Sequence, residues 1–292
     1  MDFRQLERFL AVVDHGGFHR AAEVLYVAQP SLSQSIKQLE RELGDALFHR
    51  VGRGVVLTEA GRELVGPARM AVHALGLAVE SVEAVRGLRT GRLQITAMPS
   101  QAIAPLAEVI TRFTAQYPGV RVVVRAGATV DEVVEAVRTG RTELGLLAGV
   151  ELPERPGVGL HPVARQRFVV VTPAAEPFQT GARVATSDLS GLRVIAGQTG
   201  TGMRAVVDAL IESGVELTIA VETEHREAIL PLVLAGSGIA VLAESWREIA
   251  ERAGAVVADL DPAFYLEVAY VSHEGGLGPA SRAFLDMATE RQ

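Results

Sequence analysis

No cysteine occurs anywhere in the chain. That excludes a disulfide framework, thiolate metal sites, a cysteine nucleophile and a thiol redox switch. Lysine is almost as scarce. Lys37 stands alone among 28 basic residues, so the other 27 are arginine, a skew that fits GC-rich coding better than any function. Aromatic residues make up only 5%. No apolar run approaches the roughly 18 residues a membrane span requires. The first residues, Met1-Asp2-Phe3-Arg4-Gln5, are charged and amphipathic, with no apolar stretch behind them. Neither a membrane segment nor a secretory signal is expected, and the cytoplasm is the expected compartment. The motifs of catalysis are missing too. There is no P-loop, no nucleophile elbow and no metal-spaced set of His, Asp or Glu. Gly200-Thr201-Gly202 is too short for a dinucleotide fingerprint, and His161, His225 and His273 are isolated. No enzymatic activity, cofactor or metal is therefore expected.

What is present is a chain of 292 residues, 48% apolar, long enough for about two domains. The net charge of −7 argues at first against a nucleic-acid partner. Its distribution is uneven. Residues 1–90 carry 11 basic and 11 acidic side chains, and the whole deficit lies beyond them. A neutral segment is not a basic footprint, so charge alone does not establish DNA binding.

The N-terminal residues read as short helices. Leu6, Phe9, Leu10 and Val13 fall at helical spacing, and Gly16-Gly17 stops that helix. Phe18 to Leu25 forms a second helix, in which Ala21 and Ala22 allow close approach, and Tyr26-Val27-Ala28 is the turn. Pro30 suits the first position of a third helix. There Leu32, Ile36, Leu39 and Leu43 define one buried face. Pro30, Gln34 and Lys37 point the other way, flanked by Ser33. Such a face is either merely solvated or the reading surface of a helix-turn-helix, which enters the major groove and meets base edges. Leu47 to Thr58 then reads as a hairpin around Gly52-Arg53-Gly54. As a wing it would carry Arg50 and Arg53 to phosphates or a narrow minor groove. The tandem of helix and wing favours DNA more strongly than either part.

Thr58 can cap the long helix that follows. Leu64, Ala68, Ala71, Leu75, Ala78, Val82 and Val85 alternate steps of four and three, an a/d seam suited to a partner helix. The plainer alternative is a helix packed on its own domain. Gly66-Pro67 is a place for it to bend. A dimer would duplicate the reading head and match a pseudo-palindromic site.

From Leu93 onward strand and helix patterns alternate in two similar runs, with Gly140 of the first corresponding to Gly236 or Gly238 of the second. Helices are expected over 103–115, 130–138, 203–213 and 226–235, with parallel sheets and a cleft between two lobes. Four loops at strand ends carry Ser100 and Gln101, Thr129, Thr199 and Thr201, and His225. Each alone reads as a helix cap. Together they read as a pocket for a small anionic effector, a carboxylate, because hydroxyls and helix N-termini favour anions.

These residues resemble a known family. Phe18-His19-Arg20-Ala21-Ala22, Gln29-Pro30-Ser31-Leu32-Ser33-Gln34, Leu47-Phe48-His49-Arg50 and Leu57-Thr58-Glu59-Ala60-Gly61 look like the LysR-type transcriptional regulators. Glu143-Leu144-Gly145-Leu146 and Gly236-Ser237-Gly238-Ile239-Ala240 extend the likeness more weakly. The resemblance implies an α/β chain with an N-terminal all-α winged helix-turn-helix over 1–57 and a linker and dimerisation helix over 58–90. An effector domain like the two-lobed (type 2) periplasmic binding proteins would occupy 91–292. Lobe I is expected over about 91–162 and 267–292, and lobe II over about 163–266. By position, Gln29, Pro30, Ser33 and Gln34 would approach bases, Ser31, Lys37 and Arg50 phosphates, and Arg53 the minor groove. Many relatives carry Arg where this chain has Gln34. Ser100, Thr129 and Thr201 fall where relatives bind effectors. Implied partners are double-stranded promoter DNA, the effector, a second copy through the linker helix, a tetramer, and a possible contact with RNA polymerase. The alternative function is a small-molecule-binding protein or enzyme with an accessory helical dimerisation head.

Overall fold

The computed structural model describes residues 1–51, 54–84, 90–152, 154–174 and 178–290. The N-terminal unit, called the reading head after the role expected of it, is built from α1 (Phe3–Asp14), α2 (Phe18–Val24) and α3 (Gln29–Leu43), followed by the hairpin β1 (Phe48–Val51) and β2 (Gly54–Leu57). Asp2 starts α1 with a capping box. Its carboxylate accepts the Gln5 N–H at 2.8 Å, and the Gln5 side chain accepts the Asp2 N–H at 2.7 Å. Pro30 takes the second position of α3 rather than the first, still among the N–H groups that lack a helical partner. Leu32, Ile36 and Leu39 are fully buried as expected, but Leu43 is 42% exposed. The helix ends there, at Gly44 with φ +80°, and its last turn clears the core.

A long helix, α4 (Glu59–Ala84), leaves the hairpin. Thr58 caps it, accepting the Gly61 N–H at 2.9 Å. Pro67 lies inside it. The remainder is strand β3 (Gly91–Ala97), α5 (Pro99–Gln101), α6 (Ala107–Gln116), β4 (Val120–Ala126), α7 (Val130–Arg138), β5 (Leu144–Gly149) and the 15-residue β6 (Val158–Thr172). Then follow β7 (Arg183–Ala185), β8 (Arg193–Gly197), α8 (Gly202–Glu212), β9 (Thr218–Thr223), α9 (Ile229–Leu234) and β10 (Ala240–Ala243). Last come α10 (Arg247–Arg252), β11 (Val256–Asp261), β12 (Tyr265–His273) and α11 (Pro279–Thr289). The helix expected from Ile103 begins only at Ala107, because Ala104, extended at φ −155° and ψ 137°, precedes Pro105. A residue before proline disfavours the α conformation.

The sheets are mixed rather than parallel throughout. Strands run β4-β3-β5-β12-β6-β11-β7, with β10 also on β6. The β3 pairings with β4 and β5 are parallel, whereas β12 runs antiparallel to both β5 and β6. Two strands that return across a two-part domain must oppose their neighbours, a constraint no local pattern carries. Strand β6 changes partners along its length. Val158–Arg167 pairs with β12, and Phe168–Thr172 with β10 and β11. At the changeover Arg167 donates to Glu244 at 3.0 Å and lies 2.9 Å from Asp259. Strands β8 and β9 form a separate parallel pair. The two runs end their second helices alike. Gly140 at φ +67° and Gly236 at φ +77° each hand an N–H back, to Val137 and Val233. That identifies Gly236, not Gly238, as the counterpart of Gly140, because only a residue free to adopt positive φ closes a helix this way. Among the described residues no helix is long and apolar enough to cross a membrane.

Candidate DNA-reading surface and interlobe cleft

Helix α3 is held from behind. Leu32, Ile36 and Leu39 meet Leu6, Phe9 and Leu10 of α1 and Ala21 and Ala22 of α2. Phe48 of β1 lies against two rings, 5.4 Å from Phe9 and 5.6 Å from Phe18. The hairpin is thereby fixed to the same core as the helix. In front, Gln29, Pro30, Ser31, Gln34 and Lys37 are exposed and Ser33 is half-buried. Arg50 pairs with Val55 in the hairpin register, and Arg53 lies outside the described residues. Tyr26 is one residue that the pattern of the chain did not single out beyond the turn. It is 96% exposed at φ +53°, beside the start of α3. Its positive φ is uncommon for a non-glycine residue, and its ring stands free at the edge of the reading face.

The expected seam divides along α4. Leu64, Ala68 and Ala71 join the reading head's own core beside Leu6, Phe9 and Leu10. The small alanines admit α1 of the same chain; Ala68 is buried there, while Leu64 and Ala71 are half-buried. Farther along, Leu75 is 39% exposed and Ala78 is exposed. Val82 lies in the helix, and Val85 outside the described residues. Between the two regions Arg69 donates to the Asp14 carboxylate, at 3.1 Å through one nitrogen and closer through the other. Its backbone approaches Gly140, where an added Cβ would stand 3.5 Å from Arg69. A groove of about 400 Å³ runs through this junction, lined by Asp14, Arg69, His73, Gln94 and Glu143 among others. Burial, with His273 nearby, pushes the His73 imidazole below its ordinary range.

The four candidate loops do not all converge. Thr129 accepts the Glu132 N–H at 3.2 Å and Thr201 the Arg204 N–H at 3.3 Å, both as caps of the helices they precede. Thr201 is buried and also donates to the Gln198 carbonyl at 2.8 Å. Thr199 is exposed, and His225 points outward, with Nδ1 3.5 Å from Glu227. Ser100 and Gln101 are the two that turn inward, both buried. They meet a residue absent from the expected set, Arg226. Its guanidinium donates to Ser100 Oγ at 3.0 Å, and Gln101 Nε2 reaches the same hydroxyl at 3.4 Å. Arg226 stands in the turn before α9 and Ser100 in α5, so this bond joins the two halves of the domain. Apolar side chains close around it, including Met98, Phe168, Met203 and Leu266. The position of Arg226 next to His225 was visible in the sequence, but nothing local separates a buried arginine from an exposed one. Among the described residues, no three His, Asp or Glu side chains gather to hold a metal.

Comparison with known proteins bears on both regions. The family model described as "Bacterial regulatory helix-turn-helix protein, lysR family" matches residues 3–62. The model "LysR substrate binding domain" matches residues 86–292. The transcriptional regulator CbbR of Rhodospirillum rubrum is 30% identical over 87% of this chain and 83% of its own. Among solved structures, a single-substitution variant of full-length OxyR from Pseudomonas aeruginosa superposes with a TM-score of 0.80 at 23% identity, covering 100% of this chain and 99% of the other. Full-length CbnR in complex with its target DNA gives 0.67 at 22% identity over 99% of both chains. These last two likenesses concern the fold.

Proposed function

We propose, from the premise that this chain belongs to the LysR family of bacterial transcriptional regulators, which bind DNA and are not enzymes, a specific division of labour within it. In this reading α3 and the hairpin behind it read promoter DNA in the cytoplasm. A small molecule held between the halves of the effector domain alters the spacing of paired reading heads. The observation that carries it is the two-sided character of α3. One side is anchored by fully buried Leu32, Ile36 and Leu39, while the other offers Gln29, Ser31, Gln34 and Lys37 to solvent. A helix held rigidly by one face presents donors and acceptors of the other at fixed positions, which base-edge recognition requires. Gln34→Ala should weaken binding to the specific site by about 1–3 kcal/mol and relax the preference at one base pair. Gel shifts against the DNA upstream of the chain's own gene measure this. Equal retention of the site by wild type and by the variant carrying both Gln34→Ala and Arg53→Ala would defeat the reading.

Pairing of heads is assigned to the distal part of α4. Leu75, more than a third exposed on a helix already packed at its other end, is the residue to test. Leu75→Glu places a charge where a partner helix would cover it, which is unfavourable without a counter-charge. Sedimentation should then report smaller assemblies than for the wild type. An unchanged mass would count against α4 as the interface. A tetramer built through the effector domains, and contact with RNA polymerase, remain parts of the reading supported by family membership alone. The junction of Asp14, Arg69 and Gly140 offers a route from effector domain to head. A ligand moves such an equilibrium only by its different affinity for the two arrangements.

A further inference from the structure

Arg226 is a buried charge with no ion-pair partner among the described residues. The residue is only 7% exposed. Among the described residues its one side-chain hydrogen bond goes to the neutral Ser100 hydroxyl, and its other terminal nitrogen, Nη2, is buried without a partner. No carboxylate among the described residues lies within ion-pair distance of it, in contrast to Arg167, Arg204 and Arg247, each paired with two or more acidic groups. Burial accordingly pushes the guanidinium below its ordinary range. An unpaired buried charge costs several kcal/mol, which an anion on the planar fork would offset. The walls around the fork are apolar on several sides, from Met98, Phe168, Met203 and Leu266. The cavity now enclosed is about 10 Å³, room for roughly one water. No organic molecule enters without separating the two halves of the domain.

Resting on the regulator reading above, we propose that the effector is a monocarboxylic acid with a short apolar tail. Its carboxylate takes the Arg226 fork in place of Ser100, its tail lies on Met98, Phe168, Met203 and Leu266, and its entry breaks the Arg226–Ser100 bond that latches the halves together. One cation sets one negative charge. A second carboxylate or a doubly charged phosphate would have to be desolvated against Leu266 or Phe168, which is unfavourable. Ser100, released from Arg226, can donate to the same carboxylate. The latch gives the ligand its differential effect, because only the opened arrangement has room for it.

The test uses the full chain and its single tryptophan. Trp246 is buried directly after β10, whose Ala243 lines the cleft, so its emission reports on opening. Acetate, butyrate, hexanoate and 3-phenylpropionate are titrated beside hexanamide, adipate and inorganic phosphate. Affinity should rise about three- to fourfold per methylene along the straight chains. Hexanamide should be silent, and adipate and phosphate at least tenfold weaker than hexanoate. Arg226→Gln should lose at least tenfold for hexanoate, and Arg226→Lys, which keeps the charge without the fork, a smaller factor. Hexanamide, adipate or phosphate binding as tightly as hexanoate, or Arg226→Gln binding like wild type, would overturn the proposal. So would a flat chain-length series in the wild type, a measurement that needs no variant to fold. A gel shift on the same preparation keeps the two readings separate. Failure to hold DNA sinks the regulator reading, and absence of carboxylate binding beside intact DNA binding overturns this inference alone.

Discussion

Phe9→Ala should unfold the reading head and leave the effector domain folded. Phe9 is completely buried, meets Phe48 at 5.4 Å, and packs with Leu6, Leu10, Ile36, Leu39 and Leu47. Removing a buried phenyl ring costs about 3–5 kcal/mol, part transfer and part cavity. A unit of some 60 residues has total stability of the same order, so the loss is close to the whole. The core around Phe9 shares no buried residue with the one that spans the sheets of the effector domain, which is why the damage should stay local. Differential scanning calorimetry of the full chain should show the head's transition lost or shifted far downward, with the effector domain's transition retained. Specific DNA binding should vanish in the same sample. A single transition lowered as a whole would instead mean that the two cores melt as one unit.

Gly61→Ala should be nearly as damaging, for the opposite reason. A Cβ at Gly61 would stand 2.2 Å from the Leu47 carbonyl oxygen and 2.9 Å from a Leu57 methyl. The oxygen cannot retreat cheaply, because it accepts the Thr58 N–H at 3.0 Å, while Thr58 donates to the Ala46 carbonyl at 2.6 Å and caps Gly61 itself. The start of α4 and the hairpin would have to part, at about 3 kcal/mol, the upper part of the range for overpacked sites. Gly76 of the same helix is the control. Among the described residues nothing outside its own helix turn lies within 4 Å of its would-be Cβ, so Gly76→Ala should stabilise the helix by about 0.5–1 kcal/mol. Thermal melts of the two variants should move in opposite directions. Gly61→Ala melting like wild type would show that the contact between α4 and the hairpin yields more readily than its geometry indicates.

The reading head was legible because its signals are local. Leu32, Ile36 and Leu39 recur at helical spacing, so the polar face bearing Gln34 and Lys37 followed from periodicity. The hairpin followed from two β-type runs about a glycine-rich turn, and the Thr58 cap from residue type. Pro105 already implied a break that the helix expected from Ile103 ignored, and Gly44 implied that Leu43 would fray toward solvent. The seam in α4 is visible as apolar spacing, but spacing does not say what covers it. Of its first three residues, Ala68 is buried in the core that includes α1 of the same chain, and Leu64 and Ala71 are half-buried against that core.

The sequence by itself determined the family, the order of the parts and the solvent-facing side of α3, because these depend on residues within a few turns of one another. Tertiary structure alone decided the antiparallel course of β12 through the sheet, the burial of Ala68 in the core shared with α1, and the convergence on Ser100. Of the hydroxyl-bearing loops expected to form a pocket, Thr129 and Thr201 serve as caps. The charge at the cleft comes instead from Arg226, across 126 residues of chain. Whether an arginine is solvated, paired or buried alone depends on the side chains that distant strands bring around it. Burial fixes the cost of its charge, and nothing in the residues beside Arg226 encodes that burial.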